Sequence, residues 1–334
     1  MADLQSVPKR RLGNSDLNVA PIGLGCMSLS GAYGASDDTN AVDMLARAID
    51  ELGVELLDSS DMYGWGHNET LLGRALKGRR DRVVLVTKFG QTKSESGPNG
   101  VNGRPEYVAS ACDASLKRLG VDVIDLYIQH RIDPNVPIEE TAGAMGRLVE
   151  QGKVRYIGLS EAKPETIQRA HDTHPLTAVQ TEFSLLYREE AEHTRALTTT
   201  LGIAFLAYSP LGRSLLTGTY AGLEQVPDDS PHKRHPRFAD DNLKKNLALI
   251  RPLQKMATAR ECSMAQLALA WVLAQGDDVI PIPGTKSMSR LRQNLGALDV
   301  TLSDEDLATL ADMIPAGAAA GTRYPAGGMK AVQR

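Results

Sequence analysis

Val54-Glu55-Leu56-Leu57, followed by Asp58-Ser59-Ser60-Asp61-Met62-Tyr63-Gly64, has the form of a short buried strand running out into a polar loop. The pattern recurs downstream. Val83-Val84-Leu85-Val86 is followed by Thr87 and Lys88, and the run from Ile124 to Gln129 ends at His130. Similar β-like runs begin near Ile22, Val154, Ala178, Ile203 and Val279, making eight in all. Most are separated by segments long enough for a helix, which favours a closed parallel sheet, a (β/α)8 barrel of the TIM type, over an open sheet. In such a barrel the strand ends emerge on one face, so Asp58, Tyr63, Lys88 and His130 are expected to converge there.

Helical periodicity is clearest over 39–52, 105–119, 138–150, 164–170 and 264–275, with start signals at Pro105-Glu106 and at Ser303 followed by Asp306. The stretch from Arg11 to Val19 alternates around Gly13-Asn14-Ser15 and is predicted to be an N-terminal β-hairpin closing the barrel bottom. Residues 210–241, rich in proline and small residues, break the rhythm and are expected to form a long loop over the site after the seventh strand. The Ala/Gly-rich stretch 316–334 is expected to be a mobile C-terminal tail beyond an extra helix. One barrel domain over 1–334 suits the length of the chain.

With 37 basic and 41 acidic residues the net charge is −4, giving no field suited to nucleic acid or an anionic membrane. No run approaches the ~18 apolar residues of a membrane span. Cys26, Cys112 and Cys262 are odd in number and widely spaced, which argues against disulfides and a zinc ribbon and fits a reducing cytoplasm. His232-Lys233-Arg234-His235 lacks a carboxylate or cysteine partner and is expected to be a solvated loop, so no metal site is predicted.

The four strand-end residues have a shared chemical logic. Tyrosine is a weak acid near neutrality, since its ordinary pKa is ~10. A unit positive charge ~4 Å away in a sheltered site contributes ~4 kcal/mol towards its ionisation. Lys88 is therefore expected to acidify Tyr63, Asp58 to keep Lys88 charged, and His130 to contact a substrate carbonyl.

For the cofactor, Gly23-Leu24-Gly25 is followed by Ser28 where a Rossmann fingerprint requires glycine. The better nucleotide candidate is Ile282-Pro283-Gly284-Thr285-Lys286-Ser287, at the start of a helix that carries Arg290, Gln293 and Asn294. Exposed amides at a helix start bind phosphate, and barrels place phosphates after their seventh and eighth strands. Lys286 and Arg290 add charge suited to a 2′-phosphate, so NADPH/NADP+ is expected over NADH.

Taken together, GLGCMSLS (23–30), DSSDMYG (58–64), VTKFG (86–90), IDLYIQH (124–130), GKVRYIGLS (152–160), AYSPLGRSLLTG (207–218) and IPGTKS (282–287) give the chain a resemblance to the aldo-keto reductases over almost its whole length. QHRIDPNVPIEET (129–141), SMAQLALAW (263–271) and GTRYP (321–325) resemble the branch of plant and bacterial pyridoxal-, alkaloid- and quinone-type reductases. The resemblance implies NADPH-dependent reduction of an aldehyde or ketone, with Tyr63 as general acid, Lys88 and Asp58 as its tuning pair and His130 orienting the substrate. It further implies that Ser160 and Gln180 bind the nicotinamide carboxamide and that Tyr208 stacks on its ring. Ser209, Pro210, Leu211 and Gly212 would face the pyrophosphate, with Arg213 as a clamp. Glu161 and Gln293 stand where relatives commonly carry asparagine and an acidic residue. Met27, Tyr33, Trp65 and Arg131 are candidates to line the substrate pocket, with Arg323 and Tyr324 reaching over it. Two alternatives are a nicotinamide-binding regulatory subunit with low turnover, similar to potassium-channel β subunits, and a metal-dependent barrel hydrolase; the latter lacks an H-x-H motif.

Overall fold

Eight parallel strands form the centre of the computed structural model, which describes residue 4 and residues 7–94, 100–220, 222–226 and 230–332. They are β1 (Leu24–Gly25), β2 (Leu56–Asp58), β3 (Val84–Phe89), β4 (Ile124–Gln129), β5 (Val154–Ser160), β6 (Ala178–Glu182), β7 (Ala204–Tyr208) and β8 (Val279–Pro281). Each neighbours the next in chain order. The ends of the sheet meet where Gly23 and Gly25 N–H donate to the Pro281 and Pro283 carbonyls, at 3.0 and 3.2 Å, and Gly25 bridges Gly284. This seam needs glycine: a Cβ on Gly25 would lie 2.8 Å from the Ile282 carbonyl oxygen.

Ten helices of eight residues or more surround the described barrel: α1 (Asp38–Leu52), α2 (His67–Ala75), α3 (Pro105–Leu119), α4 (Ile138–Glu150), α5 (Pro164–Thr173), α6 (Glu189–Leu201), α7 (Asp240–Ala259), α8 (Met264–Leu273), α9 (Met288–Leu295) and α10 (Asp304–Met313). The expected helices 105–119 and 138–150 are found with those bounds. Helix α5 runs three residues past 170, and α8 stops two before 275. Asp37 caps α1 by accepting from the Asn40 N–H, and Ser303 with Asp306 forms a capping box that starts α10.

Alternate side chains of each strand point to opposite faces. Leu56, Val84, Val86, Leu126, Ile128, Ala178, Ala204, Leu206 and Ile280 fill the barrel interior. Leu57, Leu85, Tyr127, Leu159 and Val179 point outward into the packing against the helices. The hairpin pairs Arg10–Arg11 with Asn18–Val19, and Leu12, Leu17 and Val19 plug the bottom of the interior as expected. No described helix is long and apolar enough to cross a membrane.

The loop after β7 is built from short 3₁₀ turns at Leu215–Thr217, Leu223–Gln225, Pro231–Arg234 and Pro236–Phe238. Residues 221 and 227–229 of that loop, and 333–334 of the tail, lie outside the described residues. One expectation needs correction here. His232 is buried against Tyr33, Tyr220 and Phe238 and is not a solvated loop residue. The tail is anchored at one point, where Arg323 is 2% exposed and its guanidinium is paired with Glu161. Ala/Gly-rich composition reports weak average packing and is blind to one buried ionic anchor.

Candidate active site

The period-two rule that fills the interior also brings polar groups to its top. Asp58 lies two residues beyond Leu56, Lys88 two beyond Val86, His130 two beyond Ile128, Gln180 two beyond Ala178 and Tyr208 two beyond Leu206. The structure brings the four predicted residues together. Lys88 is fully buried, and its Nζ donates to Asp58 Oδ2 (2.7 Å), to the Ser59 carbonyl (2.6 Å) and to Tyr63 OH (3.3 Å). His130 packs edge-on to Tyr63, with ring centroids 5.9 Å apart. Its Nδ1 lies 3.0 Å from Ser60 Oγ. Ser60 is a partner that the sequence reading missed, although it sits within the quoted motif.

Burial lowers the pKa of Lys88, and the charge and hydrogen bond of Asp58 oppose that fall. His130 is pushed well below the ordinary histidine value, by burial and then by the charges of Arg131 and Lys88, so its ring is neutral near pH 7. Tyr63 overturns one expectation. Burial, and next the charge of Asp58, raise its pKa well above 10 in place of the predicted acidification. The Asp58 carboxylate largely neutralises the field that Lys88 was expected to exert, and desolvation of the phenolate prevails.

Asp61, two residues before Tyr63, is pushed up to about 7 by burial and by repulsion from Glu69, against an ordinary value of 3.8. The folded state therefore holds a proton that the unfolded chain has released, and stability falls as pH rises from about 4 to about 7. Asp61→Asn is expected to flatten that fall and to stabilise the fold at pH 8 by about 1–2 kcal/mol, with allowance for the partly exposed carboxyl. Thermal melts of both proteins between pH 5 and 8 check this; parallel curves would contradict it.

On the far side of the barrel lies a buried ionic cluster. Glu161, which has a left-handed φ of +56°, accepts from Arg323 through both oxygens (2.8 and 2.9 Å) and from Tyr208 OH (2.8 Å). Glu182, at the end of β6, accepts from Arg213 (3.0 Å) and Arg237 (3.3 Å). Tyr324 meets Tyr208 hydroxyl to hydroxyl at 2.9 Å and lies under the Arg213 guanidinium at 4.6 Å. The sequence reading found Arg213, Arg323, Tyr208 and Tyr324 but missed Glu182 and Arg237. Glu182 was detectable as the next inward position after Gln180; Arg237 carried no signal.

The predicted nucleotide residues are placed as follows. Gln180 donates to Asp58 Oδ1 (2.7 Å), and Ser160 Oγ accepts from Arg131 (3.3 Å). The turn containing Pro210 and Leu211 has left-handed backbone at Ser209 (φ +48°), Gly212 (+55°), Arg213 (+54°) and Ser214 (+77°). Non-glycine residues adopt that conformation at a cost and concentrate where ligands bind. Arg213 Nε is buried with no acceptor, which suits an anion in this groove. After β8, Thr285 is buried, Gly284, Lys286, Arg290 and Gln293 are exposed, and Asn294 is buried within α9. Ser287 caps α9 at the Arg290 N–H (3.4 Å). Lys286 Nζ holds the carbonyls of Tyr33, Gly34 and Ala35 at 3.1, 3.2 and 2.6 Å.

Of the predicted pocket residues, Met27 and Tyr33 are half-buried, and Tyr33 packs on His232 at 5.0 Å. Trp65 is 39% exposed with φ +53°. Arg131 is buried beside His130. Among the described residues no group of histidines, cysteines and carboxylates forms a metal-binding cluster.

Known proteins resemble this chain in sequence and in fold. The chain is 46% identical over 316 residues to a probable aldo-keto reductase 1 of Glycine max, covering 94% of this chain and 91% of that one. It is 44% identical over 329 residues to a Schizosaccharomyces pombe aldo-keto reductase whose name specifies NADP(+), covering 96% of each. Among solved structures, a glycerol dehydrogenase from Gluconobacter oxydans superposes with a TM-score of 0.83 at 30% identity, covering 94% of this chain and 95% of that one. A Klebsiella pneumoniae aldo/keto reductase in complex with NADP and acetate superposes with a TM-score of 0.72 at 28% identity, covering 96% and 99%. The aldo/keto reductase family profile matches residues 21–315, and with the barrel and the strand-end residues in place the chain belongs to the aldo/keto reductase family.

Proposed function

We propose that this chain reduces an aldehyde or ketone reversibly to an alcohol at the expense of NADPH, as one barrel unit over residues 1–334. The observation that carries the reading is Lys88 Nζ within bonding distance of both Asp58 and Tyr63, with His130 packed against the same tyrosine. A nicotinamide held in the groove by Ser160, Gln180 and Tyr208 would supply hydride to the carbonyl carbon. Tyr63, kept as a phenol by its raised pKa, gives its proton to the carbonyl oxygen as negative charge develops there. An alkoxide is a stronger base than a phenolate, so the transfer runs downhill. His130 is neutral and holds Ser60 through Nδ1, leaving Nε2 to orient the carbonyl.

Ser160, Gln180 and Tyr208 would hold the nicotinamide. The 209–213 turn would hold the pyrophosphate and the 284–294 segment the adenosine 2′-phosphate. Support for the phosphate side comes from the buried, acceptor-less Arg213 Nε and the left-handed turn. Support for NADPH comes from the S. pombe relative's name and the Klebsiella structure's NADP. The three unpaired cysteines fit a reducing compartment such as the cytoplasm.

A spectrophotometric panel of aldehydes and ketones with NADPH and with NADH tests the assignment. At least a tenfold higher kcat/KM with NADPH is expected. Failure of every carbonyl to oxidise either dinucleotide would refute the activity, and equal use of both would refute the phosphate site.

A further inference from the structure

Arg131 follows His130 at the end of β4 and is 7% exposed. Its guanidinium donates to the His130 carbonyl (2.6 Å) and to Ser160 Oγ (3.3 Å), and reaches Tyr324 OH only at 3.5 Å. Every other buried cation of the site has a carboxylate: Lys88 has Asp58, Arg213 and Arg237 share Glu182, and Arg323 has Glu161. Among the described residues no carboxylate lies within ion-pair distance of Arg131; Glu161 acts on it only from farther off, with both its oxygens already taken by Arg323. Its charge reaches the reacting groups, since it is felt at both Tyr63 and His130.

A buried charge without a counterion is costly, and persists where a ligand supplies the missing charge. The dinucleotide does not supply it here, because the phosphate candidates follow β7 and β8 while Arg131 follows β4, across the barrel from β8. The counterion must then arrive from the substrate side, next to His130. A single guanidinium with no direct ion partner suits a monoanion, and its planar fork matches the two oxygens of a carboxylate.

We propose that Arg131 determines specificity by receiving a substrate carboxylate, so that the preferred substrates are oxo-carboxylates whose carbonyl reaches Tyr63 and His130 while the carboxylate pairs with Arg131. Tyr324 gives up its long contact with Arg131 and keeps its shorter one to Tyr208. The carboxylate itself is unchanged: NADPH would supply hydride to the carbonyl carbon and leave as NADP+, the Tyr63 proton goes to the oxygen and is replaced from solvent, and a hydroxy-carboxylate leaves.

This inference rests on the reductase reading, and the experiment separates the two. Initial rates with NADPH are measured for 2-oxobutanoate, 4-oxobutanoate and 5-oxopentanoate, each beside its methyl ester, on the full-length protein and on Arg131→Gln and Arg131→Lys. The readout is the acid-to-ester ratio of kcat/KM within each preparation, which does not depend on the fraction folded. For at least one chain length the unmodified protein is expected to favour the acid tenfold or more, mainly through KM. That ratio should collapse towards one in Arg131→Gln and take an intermediate value in Arg131→Lys. Esters reduced as well as acids throughout would overturn the role of Arg131 and leave the reductase standing. A large ratio unchanged in Arg131→Gln would overturn it equally, because another cation would be reading the carboxylate. No reduction of acid, ester or any neutral aldehyde would overturn both.

Discussion

Tyr63→Phe is expected to lower kcat by about 10²–10⁴-fold while leaving the fold and NADPH affinity intact. The fold should tolerate the change because the phenol hydroxyl is only the longest of three contacts to Lys88. Asp58 and the Ser59 carbonyl, at 2.7 and 2.6 Å, still satisfy the ammonium. Loss confined to kcat is the signature of a group used in the transition state alone. Single-turnover rates together with a fluorescence titration of NADPH check both halves. Retention of most of the turnover would remove Tyr63 from the mechanism and point to His130 as the proton source. Because burial holds Tyr63 well above 10, its protonated form persists through neutrality, and the reduction rate should not fall between pH 6 and 8 on account of Tyr63.

Lys88→Met is expected to cost about 3–5 kcal/mol of stability and also to abolish most activity. The substitution strands the Asp58 carboxylate, 2% exposed, with Gln180 as its one remaining side-chain donor among the described residues. Adding Asp58→Asn to it removes the stranded charge, so the double variant should recover much of the lost stability. Activity should not return, since neither variant restores the Nζ donor that holds the Tyr63 hydroxyl. Urea unfolding and turnover on the two single variants and the double variant form the cycle. Recovery of activity in the double variant would show that the pair serves folding alone.

The catalytic face was legible because a strand has period two and apolar side chains fill the barrel. A polar residue two positions beyond the last interior apolar one, as with Asp58, Lys88 and His130, therefore stands at the mouth whatever the loops do. The same rule, carried one step beyond Gln180, reaches Glu182. Arg237 and the anchoring of Arg323 were not legible. Both act through ion pairs with Glu182 and Glu161 across large separations in sequence, and no local periodicity encodes such a pair. The acidification of Tyr63 was misjudged for a related reason. Residue types name the charges present but not how deeply each is buried, and burial decided the sign.

What the amino-acid order alone determined was the alternation of strands and helices, and with it the barrel and the gathering of Asp58, Tyr63, Lys88 and His130 at one end. These follow from short-range periodicity and the chirality of the chain. What only the tertiary structure decided was the balance of charge around them: a tail arginine locked onto Glu161, and Arg131 left without a carboxylate beside the reacting groups. Electrostatic energies depend on distance and desolvation in three dimensions, and those are settled only when remote segments pack.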